Sequence, residues 1–130
     1  SAIKKAAIVV DTTLVHERID KDFDNLTKHT EKLIDSYNKT VDSIKSQELA
    51  LDKVQGKLEN LQLYAQTGLL KEGEDVKINQ LSSQVELMTN KLNDTKEKAN
   101  DLKDEINDSL NQKSILKRLL YTSDAADDKA

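Results

Sequence analysis

His16 and His29 are the two imidazoles of the chain, the side chains best suited to hold a metal ion or pass a proton near neutral pH. They stand thirteen residues apart, and on a helix that spacing does not bring two ligands onto one short patch. Neither has a nucleophile pattern beside it. Cysteine is absent, which excludes disulfides and thiolate metal sites and leaves the redox compartment open. There are 24 acidic and 20 basic side chains, and they alternate along the chain as they do on a solvated helix face. Of the three glycines, Gly56 is isolated, and none belongs to a phosphate-cradling loop. Four N-x-[ST] triplets begin at Asn25, Asn38, Asn93 and Asn107, in an Asn-rich chain where such triplets arise by coincidence. The expectation is therefore no catalytic residue, no cofactor and no metal site, and a chain that is not an enzyme.

What could position residues with so little chemistry? The 130 residues suit one domain, with 34% charged side chains, 3% aromatic ones and no proline. That profile belongs to long helices rather than to a globular core. The net charge of −4, with both signs interspersed, gives no basic face for a nucleic acid. The longest apolar run, Ala6 to Val10, is far short of the roughly 20 residues a membrane span needs. The N-terminal SAIKKAAIVV reads as the first part of a helix rather than as the remnant of a signal peptide.

Apolar spacing supplies the frame. Alternating steps of three and four from His16 meet Ile19, Phe23, Leu26, Thr30 and Leu33, and continue without a slip to Ala65. After the central glycines the same walk runs from Ile78 through Leu81, Val85 and Met88 to Leu120. Both are heptad seams of the kind that supports coiled-coil packing. They are out of phase by one residue, and between them lies TGLLKEGEDVK, Thr67 to Lys77. Gly68 suits the left-handed position just past a helix end, and Glu74 and Asp75 suit the start of the next helix. The predicted fold is all-α, a long antiparallel helical hairpin: helix from about 10 to 67, turn 68–75, helix from about 76 to 120. Pairing the seams around Leu69/Leu70 gives opposed residues whose numbers sum to 139. Thr30 then meets Ser109, Gln47 meets Leu92 and Lys113 meets Leu26. Gln47 and Lys113 would each cost stability in a dry seam, and Lys113 can turn outward along its own stem.

Apolar residues also occur outside the seam. Ile34 and Val41 follow seam positions on the first helix and Leu110 does so on the second, and Leu63, Tyr64, Leu87, Ile115 and Leu119 add further apolar residues off the seam. Widening the stripe in this way is what bundle helices show, so partner binding is expected at Ile34, Val41 and Leu110. The partner would be the chain itself, as a dimer of hairpins forming a four-helix bundle, or other partner helices. Leu69 and Leu70 at the turn either close the end of the core or form an acid-rimmed docking tip with Glu72, Glu74 and Asp75. That acidic tip resembles transcription factors that insert a helical hairpin into the secondary channel of RNA polymerase, although their separate globular domain is missing here. Small secreted helical-hairpin substrates of bacterial export systems are a second comparison. Their Trp-x-Gly turn is replaced here by Thr67-Gly68-Leu69, with no Trp.

The heptad pattern stops after Leu120, and residues 121–130 form a non-periodic acidic tail. LLYTSDAADD, Leu119 to Asp128, resembles a peptide that recurs where sequencing-adapter sequence has been translated, so the tail is expected to be either non-native or a disordered acidic tail. The reading that follows is a structural or interaction protein: a coiled-coil spacer, adaptor or assembly component, in a cytoplasmic, virion or secreted setting.

Overall fold

The computed structural model of the chain describes the backbone of residues 2–128 and the side chains of residues 14–122. The side chains of the SAIKKAAIVV stretch and of the tail from Ser123 onward lie outside the described residues. Two helices make up the fold, α1 (Ala2–Thr67) and α2 (Glu74–Asp128). They pack against each other as an all-α hairpin. α1 starts before the expected residue 10. α2 starts two residues before the expected 76 and runs on through the start of the tail to Asp128. Loss of apolar spacing removes a reason to pack, but helical backbone bonds need no such spacing. Thr122 Oγ1, for example, donates to the Arg118 carbonyl at 2.9 Å, one turn back.

The turn, residues 68–73, is built from two glycines at positive φ, Gly68 at 72° and Gly73 at 84°. Gly68 N–H donates to the Ala65 carbonyl at 3.4 Å and Leu69 N–H to the Tyr64 carbonyl at 2.9 Å. This is the Schellman arrangement, which satisfies carbonyls that a helix end leaves open. On the far side, Glu74 N–H donates to the Lys71 carbonyl at 3.1 Å, and Lys71 N–H donates to Glu74 Oε1 at 2.8 Å. That reciprocal pair explains why α2 begins at Glu74. The Glu74 carboxylate accepts from backbone just ahead of the helix, and its charge favours the helix N-terminus.

Tertiary contacts gather into two units, residues 1–36 with 102–130 and residues 37–101. In the first, Thr30 meets Ser109 with side-chain oxygens 2.5 Å apart, and Lys113 Nζ lies 5.1 Å from the centre of the Phe23 ring. Moving forward on α1 moves the contact backward on α2, so the helices are antiparallel. The Thr30–Ser109 pair matches the expected register. In the second unit the hydrogen-bonded pair is Gln47 with Thr95 rather than a lone Gln47 facing Leu92, because the amide reaches one turn along the partner helix.

Burial follows the three-and-four spacing. From His16 to Leu61 on α1, and from Ile78 to Leu120 on α2, every position on the two walks is buried or half-buried. Ala65, the last step on α1, is exposed. The buried apolar side chains are Leu33 in the first unit and Leu51, Leu61, Leu81, Leu92 and Ala99 in the second. Two helices alone cannot enclose a side chain on all sides, and no large described side chain is fully buried.

Candidate functional site

The unit formed by residues 1–36 and 102–130 has polar residues at its most buried positions. Thr30 is 4% exposed and Ser109 5%. Thr30 Oγ1 donates its single proton to the Leu26 carbonyl at 2.7 Å, so Ser109 must donate to Thr30. Every donor in this layer therefore has an acceptor, which is what makes two buried hydroxyls tolerable. Lys113, expected to face Leu26, instead sits over the face of Phe23, where the ring's negative potential attracts the ammonium.

Two flanks border this seam. Ile34 and Leu110 each directly follow a buried seam residue, Leu33 and Ser109, and remain 41% and 46% exposed. Asp22, His29 and Gln112 each directly precede a seam residue, which sets them on the opposite flank. Along that second flank runs an open groove of about 540 Å3, floored by Leu26 and Leu116 and walled by Asp22, His29, Gln112 and Ile115. It continues into a recess of about 190 Å3 that Glu105, Asp108 and Ser109 help to line. The fold thus brings His29 of α1 beside the neighbouring Asp108 and Ser109 of α2 around one recess. The Ser109 hydroxyl is donated to Thr30, so this trio does not form a nucleophile relay.

In the unit of residues 37–101, Val41 is half-buried. Gln47 Nε2 donates to Thr95 Oγ1 at 3.0 Å, and Thr95 Oγ1 donates to the Lys91 carbonyl at 2.9 Å. Lys96 Nζ lies 3.7 Å from Glu48 Oε1, with both side chains half exposed. At the turn the two leucines part company. Leu70 is half-buried, whereas Leu69 is 66% exposed. Among the acids of the tip, Glu74 is already committed to Lys71 N–H.

The N-x-[ST] triplets also resolve physically. Their asparagines are exposed on helices, and Thr27 Oγ1 donates to the Phe23 carbonyl at 3.0 Å. Thr40, Thr95 and Ser109 point into the seam, at 6% exposure for Thr40. Among the described residues no group of three or more His, Cys, Asp or Glu side chains could hold a metal ion. Among the same residues no helix is long and apolar enough to cross a membrane. No known protein family, curated protein or solved structure matches the chain. The fold and its surfaces define an all-α helical hairpin with apolar side chains left on its flanks.

Proposed function

We propose that the chain is a non-enzymatic interaction protein, a coiled-coil spacer, adaptor or assembly component whose hairpin packs on a second copy of itself or on partner helices. The observation that carries this reading is the pair Ile34 and Leu110, large apolar side chains exposed on the same flank of a hydrogen-bonded seam. Val41 extends the stripe in sequence, seven residues beyond Ile34 on α1. Covering such a flank removes apolar area from water at about 25 cal/mol per Å2. It also widens a two-helix seam into the broader stripe of a bundle.

Sedimentation equilibrium at micromolar concentration tests the reading. The parent is expected to sediment as more than a monomer, and Ile34→Lys with Leu110→Lys to shift it toward monomer with helical content kept. A parent that is monomeric, and that binds no helical partner through this flank, overturns it.

A second reading puts the contact at the turn, as the resemblance to polymerase-channel hairpins implies, and the exposure of Leu69 favours it. Leu69→Ser separates the two. Loss of partner binding with unchanged melting assigns the contact to the tip, and unchanged binding assigns it to the flank.

A further inference from the structure

We propose that the groove on the opposite flank, in the unit of residues 1–36 and 102–130, receives a single amphipathic helix of another protein. The inserted helix would present leucine-like side chains inward and lysine or arginine along its edges. This deepens the reading of the hairpin as an interaction protein but uses a flank that does not contain Ile34 or Leu110.

The floor is apolar. Leu26 and Leu116 are only half-buried, and Ile115 on the wall is 55% exposed. The groove follows the direction of the helices, and its α2 side runs from Glu105 to Leu116. At 1.5 Å per residue that is about 16 Å, or about three helical turns. An occupant lying in such a trough must satisfy its own backbone donors and acceptors, which a helix does and an extended strand cannot without a sheet edge. A third helix would also complete the enclosure that two helices leave unfinished.

The charge selects the kind of helix. Asp22, Glu105 and Asp108 line the groove and its recess, joined by His29, and no described lysine or arginine lines either. An apolar-floored trough with Asp22 in its wall and Glu105 and Asp108 in its recess is complementary to a helix with a leucine stripe and basic edges. The same charges argue against a second copy here. A two-fold contact sets a patch against itself, and this one would bring each acid-lined groove onto its own duplicate.

The test uses the full chain and a fluorescein-labelled designed peptide of about 14 residues, about four turns, with leucines at positions i, i+3, i+4 and i+7 and lysines elsewhere. A glutamate version of the same peptide is the control, and binding is read by fluorescence anisotropy at about 0.15 M salt. The lysine peptide is expected to bind at least about tenfold more tightly than the glutamate one. Ile115→Lys is expected to weaken it about tenfold or more, the scale of one buried aliphatic side chain. Asp108→Asn should weaken it less, and Ile34→Lys not at all. Both altered side chains on this flank are exposed, so circular dichroism should show the parent helicity in each. Equal binding of the two peptides, or lysine-peptide binding that survives Ile115→Lys, overturns the proposal and leaves only diffuse attraction to an acidic chain. Conversion of a parent dimer to monomer by Ile115→Lys also overturns it, because a second copy would then be the occupant. Sedimentation of the Ile34→Lys, Leu110→Lys variant reads the other flank separately, so either reading can fail without the other.

Discussion

The two units are built from the same two helices yet bury different things. Residues 37–101 hold five of the six buried apolar side chains among the described residues, Leu51, Leu61, Leu81, Leu92 and Ala99. Residues 1–36 with 102–130 hold one, Leu33, together with the Thr30–Ser109 pair and a Lys113 over Phe23. The first arrangement gains stability from desolvated leucines. The second gives up part of that gain for the Thr30–Ser109 pair, while the unit next to the turn has a polar pair of its own in Gln47 and Thr95. Buried polar pairs often specify alignment at a cost in stability. Most of the apolar burial thus lies in the unit next to the turn.

The largest loss is expected at Leu92, which is 6% exposed. Leu92→Ala is expected to lower unfolding stability by about 2–4 kcal/mol, from lost transfer and an unfilled gap. Ile106→Ala, at a half-buried site of the other unit, should cost less. Urea unfolding of both variants checks the order, and a larger loss at Ile106 would reverse it.

The polar layer predicts an asymmetry. Thr30→Val leaves the buried Ser109 hydroxyl without its acceptor and should cost about 1–3 kcal/mol. Ser109→Ala leaves Thr30 still donating to the Leu26 carbonyl and should cost less. Combining the two should recover part of the Thr30→Val loss. A double-mutant cycle with no coupling would remove the hydroxyl pair from the account of register.

Two glycines sharpen the picture at a smaller scale. Gly68→Ala forces a side chain into positive φ and should cost about 1–2 kcal/mol. Gly56 lies inside α1, and a Cβ added there meets nothing within 4 Å, so Gly56→Ala should raise stability by about 0.5–1 kcal/mol. Thermal melts of the pair should move in opposite directions. The smallest effect belongs to Lys96–Glu48. With both side chains half exposed, Lys96→Ala should change stability by less than about 1 kcal/mol, and the change should shrink with added salt.

Apolar spacing by itself determined the helices, the turn between them and which side chains face inward. Those properties depend on neighbours three and four residues apart and on glycines that accept positive φ. Local reading also reached the Thr30–Ser109 layer, because antiparallel pairing ties each residue of one seam to one of the other. It missed the Thr95 partner of Gln47, since a long amide can reach either of two turns and only the axial offset of the helices chooses. It missed the hold of Glu74 on Lys71 N–H, with which α2 starts two residues earlier, at Glu74. Of the groove, it reached only Ile115, as an apolar residue left outside the seam; Leu26, His29 and Asp108 read as ordinary seam or surface positions. Only packing the two helices, with side chains of unequal length meeting across the seam, leaves an apolar floor uncovered and sets acids beside it.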